Sequence, residues 1–290
     1  MSIYLSNFVE GAMDLKDKII FTKDNINFDK NKIKIIGILN LMPNKIDTEN
    51  QLLKILNDTD ERLFIKFIRL KTYQPKNISI EYLKENYYLF EDIKNELDGV
   101  IITGAPVEKL EFNEVEYIKE LKEILDYIRY KGISSICICW AAQAALNHFY
   151  GIRKVVNSKK IFGVYKHKIL NEDKILNGIK DGFKSPHSRY TSLIKEDLYK
   201  CTDIKIISTT EDSNEHIVKG SFNDYYIFGH SEYDKYTLKK EYLRDINSKL
   251  EIQIPYNYFI NDDPKKDVIL SWKETSIKLY KNWVKNIVNI

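Results

Sequence analysis

Cys139 stands where the apolar run 133–138 meets the start of a helical pattern at Ala141, with almost no loop between them. That is the layout of a nucleophile elbow, whose sharp strand-turn-helix demands small residues two before and two after the nucleophile; Cys137 and Ala141 meet the demand. The helix dipole at such a position favours thiolate, and the first backbone N–H groups of the helix, that of Trp140 foremost, offer donors to an oxyanion. The competing reading is a small buried cysteine in a strand-to-helix turn. Cys137 belongs to the strand and reads as a buried neighbour. With no C-x-x-C and no second cysteine pair, no metal site is expected.

A nucleophilic thiol needs a base, and five histidines are available. His230 follows the strand-like run 225–228 and Gly229, and Glu232 lies two residues further on. A carboxylate so placed reaches the same side of an extended backbone and fixes the imidazole tautomer, the orienting role in a triad. A lone His-x-Glu is equally the pattern of a surface histidine with an incidental acid. His148 falls on the helix after the elbow, His167 near a strand end and His216 in a polar stretch. His187, in Pro186-His187-Ser188-Arg189-Tyr190, is the remaining competitor.

The elements that must position these groups follow from apolar periodicity. β-branched runs at 33–39, 64–70, 100–102 and 133–138 read as buried strands, and helical patterns lie between them. A helix is expected from the capping-box spacing Thr48-Glu49-Asn50-Gln51, with Leu52, Leu53, Ile55 and Leu56 on its apolar face. Val115, Ile118, Leu121, Leu125 and Ile128 mark another, stopped by Gly132, and the helix after the elbow closes at Gly151. Short strands are expected at 161–164, 204–207 and 225–228, a helix over 237–250, an irregular segment 255–264, and a last amphipathic helix carrying Ile277, Tyr280, Trp283, Val284 and Ile287. Alternating strands and helices predict an α/β fold with a mostly parallel sheet flanked by helices, as one domain over residues 1–290 with C-terminal elaborations. In such sheets function sits beyond the carboxyl ends of the strands, which directs attention to loops 40–45 and 103–108 and to Cys139.

Composition sets the outer bounds. The chain has 290 residues, 43% hydrophobic and 30% charged, which is ordinary for a folded domain and excludes disorder. Its formal net charge of +3 arises from basic residues dispersed among acidic ones, so no nucleic-acid-binding patch is expected. Three cysteines are too few for a disulfide framework, and no apolar run is long enough to cross a bilayer. A cytoplasmic protein is expected.

Six segments, taken together and in order, resemble the homoserine O-acyltransferases of the MetA type. They are Asn40-Leu41-Met42-Pro43-Asn44-Lys45, Thr103-Gly104-Ala105-Pro106, Cys139-Trp140-Ala141-Ala142-Gln143-Ala144, Pro186-His187-Ser188-Arg189-Tyr190, Gly229-His230-Ser231-Glu232-Tyr233-Asp234 and Pro255-Tyr256-Asn257-Tyr258-Phe259. The resemblance spans nearly the whole chain. It implies a class I glutamine amidotransferase-like fold and acylation of the homoserine hydroxyl at the start of methionine biosynthesis. It further implies Cys139 as acyl-accepting nucleophile, His230 as base and Glu232 as its partner. Lys160 and Ser188 match substrate-contacting positions, and Arg244 matches the residue that holds the homoserine carboxylate. Taken alone, Lys160 and Arg244 would read as solvated charges. Glu108 falls where family members that use acetyl-CoA have Glu and those that use succinyl-CoA have Gly. A carboxylate there fills space and repels the succinyl carboxylate, so acetyl transfer from acetyl-CoA is expected, with no cofactor beyond that co-substrate and a homodimer as the implied assembly. The alternatives are homoserine O-succinyl transfer, a glutamine amidotransferase-like Cys–His–Glu hydrolase, and a non-catalytic ligand-binding protein on the same fold.

Overall fold

The apolar runs become neighbouring strands of one sheet. The computed structural model describes residues 3–22, 33–212 and 214–287. Its first strands are β1 (Ile3–Leu5), β2 (Ile19–Phe21), β3 (Lys34–Leu39), β4 (Leu63–Arg69), β5 (Tyr88–Leu89), β6 (Gly99–Ile102) and β7 (Ser134–Ile138). β8 (Lys154–Ile169), β9 (Lys184–Leu193), β10 (Lys205–Thr210), β11 (Glu215–Lys219) and β12 (Asp224–Ile227) complete it. The order is β2-β1-β4-β3-β6-β7-β12-β11-β10-β8-β9, with β5 beside β4. Every pairing from β2 through β12 is parallel. Every pairing from β12 to β9 is antiparallel.

The helices are α1 (Lys45–Asn57), α2 (Ile80–Asn86), α3 (Phe90–Ile93), α4 (Ile118–Lys131), α5 (Trp140–Tyr150), α6 (Lys195–Lys200), α7 (Thr237–Asn247) and α8 (Lys273–Lys285). Successive strand side chains point to opposite faces, and the core divides accordingly. Ile36, Ile38, Ile101, Ile136 and Ile138 meet α1 and α8 on one face, whereas Val100, Ile102 and Cys137 meet α4 and α5 on the other. A third cluster, including Phe162, Tyr233, Tyr258 and Trp272, docks the C-terminal segments against β8.

Several local expectations change. α1 begins at Lys45, three residues before the expected cap, because the Asn44 side chain accepts a hydrogen bond from the Asp47 N–H; Thr48 and Glu49 are then buried inside the helix. Gly132 and Gly151 do end α4 and α5, both in the left-handed conformation that glycine adopts without strain. The short strand expected at 161–164 is the middle of the 16-residue β8, whose long antiparallel pairing with β9 lacks the uniform apolar run of a buried parallel strand. β9 and β11 carry polar and charged residues, and part of their polarity is internal. Arg189 on β9, fully buried, donates to Glu215 Oε1 on β11 at 2.9 Å. His216, expected in a polar stretch, is likewise fully buried on β11.

Candidate active site

Parallel pairing places Ile138, the last residue of β7, opposite Ile227, the last of β12. The residues that follow these two strand ends therefore emerge side by side. Cys139 caps α5 at φ 51° and ψ −110°, a backbone conformation strained for any residue with a Cβ. Its N–H donates to the Ile227 carbonyl at 2.7 Å, which ties the elbow to β12. As the first residue of α5, Trp140 presents an N–H that has no acceptor within the helix. Its indole ring is buried on the opposite face of the sheet from α1 and packs edge-on against Tyr117, with centroids 5.9 Å apart.

His230 is fixed from three directions. Its backbone N–H donates to the Pro186 carbonyl at 2.7 Å, its ring stacks on Tyr233 with centroids 4.3 Å apart, and its Nδ1 lies 2.6 Å from Glu232 Oε1. Since the carboxylate only accepts, Nδ1 carries the proton and Nε2 is the nitrogen left for chemistry. Burial alone would depress the imidazolium, but the Glu232 carboxylate and the hydrogen-bonded Cys139 outweigh it and hold His230 well above the ordinary histidine range. A Cβ at Gly104 would stand 3.4 Å from Cys139 Cβ and 3.8 Å from His230 Cε1, so this glycine borders the thiol and imidazole. The buried Cys137 thiol is pushed far up by desolvation and contributes packing only.

A cleft of about 460 Å³ opens over this pair, bordered by Gly104, Glu108, Cys139, Lys160, Ser188, Tyr190, His230, Tyr233, Glu241 and Arg244. Glu108, Lys160, Ser188 and Arg244, which come from four separate elements, thus converge on the same space as Cys139 and His230. Glu232 lies behind His230, and Trp140 lies under the elbow. Of the competing histidines, His148 bonds Asp126 at 2.7 Å, while His167, His187 and His216 are buried together; among the described residues His230 is the histidine that borders the cleft.

The sequence reading missed Glu241. Its carboxylate accepts from the Tyr233 hydroxyl at 2.8 Å, from Ser188 Oγ and from Lys160 Nζ at 3.4 Å. Lys160 also reaches Asp245 Oδ2 at 3.3 Å, and Asp245 Oδ1 accepts from Arg244 Nε at 2.8 Å. Glu241, Arg244 and Asp245 occupy one flank of α7 by their three- and four-residue spacing, a pattern that also describes any solvated helix face. Tyr190 was another omission: its N–H donates to Glu108 Oε1 at 3.2 Å. Burial raises the Glu108 carboxyl, opposed by that bond and by the Lys160 and His230 charges. Lys45 braces the site from outside, donating to the carbonyls of Asn40 at 2.6 Å and Met42 at 3.2 Å; burial pushes its ammonium down to about 8.

A cysteine at an elbow, a histidine held by a carboxylate, and a pocket lined by both charges are the residue types that acyl transfer through a covalent intermediate calls for. Solved structures agree in architecture. A glutamine amidotransferase from Thermotoga maritima superposes with a TM-score of 0.58 over 89% of this chain and 99% of that one, at 13% identity. One from Methylobacillus flagellatus gives 0.56 over 89% and 96%, at 11% identity. The fold is therefore the class I glutamine amidotransferase-like one. Sequence comparison goes further: the family described as homoserine O-succinyltransferase matches residues 3–289, and the chain belongs to that family. Relatives include a homoserine O-acetyltransferase of Bacteroides fragilis, 42% identical over 94% of this chain and 92% of that protein. Others of the same name are 44% identical in Acetivibrio thermocellus, over 86% and 83%, and 42% identical in Thermotoga petrophila, over 92% and 88%. Among the described residues no helix is long and apolar enough to cross a membrane.

Proposed function

We propose that this chain is a homoserine O-acetyltransferase, moving acetyl from acetyl-CoA to the γ-hydroxyl of L-homoserine through an acetyl-Cys139 intermediate, the step that opens methionine biosynthesis. The reading is carried by the convergence of Cys139, His230 and Glu108 on one cleft, in a chain whose relatives at 40–44% identity bear that name.

In the first half-reaction the thiolate, paired with the imidazolium of His230, attacks the thioester carbonyl. The Trp140 N–H faces the developing oxyanion, and CoA leaves as a thiol. One thioester replaces another, so the acyl-enzyme forms without a large free-energy step. In the second half-reaction neutral His230 removes the proton of the homoserine hydroxyl as that oxygen attacks the acyl-cysteine. Once Cys139 is acylated its negative charge is gone, which lowers the affinity of His230 for a proton and prepares it to act as base.

Homoserine is a zwitterion, and the cleft has matching poles. The Arg244 guanidinium suits a bidentate grip on the α-carboxylate, and the Glu241 carboxylate suits the α-ammonium. Lys160 and Ser188 hold Glu241 in place and line the same wall. On the donor side Glu108 takes up the volume a longer acyl chain would need and sets a carboxylate against the succinyl terminus.

The family's printed description favours succinyl transfer as the second reading, and the fold allows glutamine hydrolysis as a third. Purified protein given homoserine and either acyl-CoA separates them: homoserine-dependent release of CoA faster from acetyl-CoA supports the proposal. Faster release from succinyl-CoA, or ammonia from glutamine with neither acyl-CoA consumed, refutes it.

A further inference from the structure

Three histidines absent from this mechanism meet in the antiparallel half of the sheet. His167 on β8, His187 on β9 and His216 on β11 are each 0% exposed, and each offers one ring nitrogen such that the three nitrogens lie within 4.8 Å of one another. They are 20 and 29 residues apart in sequence, which hides them from any ligand-spacing motif. Their hydrogen bonding leaves the cluster incomplete. His167 Nδ1 is 3.3 Å from the Phe183 carbonyl, which only accepts, so a neutral His167 keeps its lone pair on Nε2. That Nε2 is 2.9 Å from His187 Nε2, which must then donate. His216 Nδ1 pairs with Ser208 Oγ at 3.0 Å, while His216 Nε2 and His187 Nδ1 have no partner. An unpaired buried polar group costs about 1–3 kcal/mol, and an ion held by the cluster would give His216 Nε2 the partner it lacks.

We propose that His167, His187 and His216 form a buried site for one divalent transition cation of the zinc class. Three neutral imidazoles suit such an ion by donor type, and the outer partners, Phe183 carbonyl on His167 and Ser208 hydroxyl on His216, are those that orient metal-binding imidazoles. Arg189, whose charge is felt by all three rings, is neutralised by Glu215. Tetrahedral ligands at metal–nitrogen distances near 2.0–2.1 Å stand about 3.3 Å apart, so the His167–His187 contact of 2.9 Å opens by a few tenths of an ångström, and the separations to His216, which lie within 4.8 Å, close toward the same value as that ring turns in. On loading, the proton shared between those rings moves to His187 Nδ1, and no proton need leave the protein.

The site abuts the catalytic segment. A Cβ at Gly229 would come within 2.8 Å of His216 Nε2 and 2.7 Å of Ser185 Oγ, so only glycine lets the chain pass the cluster on its way to His230. The ion would act as a structural pin across β8, β9 and β11, anchoring the floor on which His230 stands.

Full burial implies loading as the chain folds, so the test uses protein produced in medium supplemented with Co2+ and purified without chelators. The proposal expects about one Co2+ per chain by elemental analysis and visible d–d absorption without the near-ultraviolet band that cysteine thiolate ligands add. Cys139→Ala should retain the ion, and His167→Gln and His216→Gln should lose it, with the thermal midpoint of the wild type falling to that of the Gln variants when it is made in metal-depleted medium. Protein free of metal, Co2+ with a thiolate band that vanishes in Cys139→Ala, or full occupancy in the Gln variants would overturn it. If the Gln variants fail to fold, metal content and the wild-type spectrum still decide.

Discussion

His230 Nδ1 and Glu232 Oε1 are 2.6 Å apart in a site where both side chains are buried. This contact selects the tautomer that turns Nε2 toward the cleft and keeps the imidazole strongly basic. Glu232→Gln keeps the shape and removes the charge, so the imidazolium is lost at lower pH. The pH limb of homoserine-dependent deacylation, which rises as His230 becomes neutral, should move down by about one pH unit or more, with a lower plateau because a weaker base removes the proton. Rate–pH profiles of the isolated half-reaction check the sign. A limb that stays in place would mean Glu232 does not set the basicity of His230.

Glu108 gives a prediction about the donor. Glu108→Gly should raise kcat/KM for succinyl-CoA relative to acetyl-CoA by about tenfold or more, equivalent to about 1.4 kcal/mol in the transition state. Glu108→Gln separates the two components. It keeps the bulk and loses the charge, so a small gain for succinyl-CoA with Gln and a large one with Gly would assign the exclusion mainly to volume.

The α7 charges give a prediction about the acceptor. Arg244→Lys forfeits the planar fork and should raise KM for homoserine by about tenfold, while acylation of Cys139 by acetyl-CoA is unchanged. Glu241→Gln should likewise affect the homoserine half-reaction, and it should also loosen Ser188 and Lys160, whose polar heads it holds. Single-turnover measurements of each half-reaction distinguish these effects from a general loss of folding.

The elbow gives a prediction about stability. Cys139 has a positive φ of 51°, which glycine tolerates and alanine does not. Cys139→Gly and Cys139→Ala should both be inactive, but the glycine variant should be the more stable by about 1 kcal/mol, the reverse of the usual order. Denaturant midpoints of the two variants test this.

Much of this was legible in the chain because buried parallel strands are written as β-branched runs. Abutting one such run against a helix marks Cys139, and the same logic places His230 after β12. What escaped was polarity used internally. β9 and β11 carry Arg189, His187, Glu215 and His216 into the core, where Arg189 bonds Glu215 and each histidine makes one bond to a neighbouring strand, and no periodicity separates such residues from a solvated edge. Glu241 escaped for a related reason: an acid on an amphipathic helix looks the same whether it faces water or a cleft. The start of α1 was misplaced because Thr48-Glu49-Asn50-Gln51 copies a capping box, whereas the side chain that caps the backbone is Asn44, four residues earlier.

An acyl-enzyme at Cys139 is the species on which both proposed half-reactions depend. Intact-protein mass spectrometry after mixing with acetyl-CoA in the absence of homoserine should show one added acetyl group, mapped by peptide analysis to Cys139, discharged when homoserine is added and absent from Cys139→Ala. Steady turnover of acetyl-CoA and homoserine with no adduct, or an adduct that persists in Cys139→Ala, would contradict it.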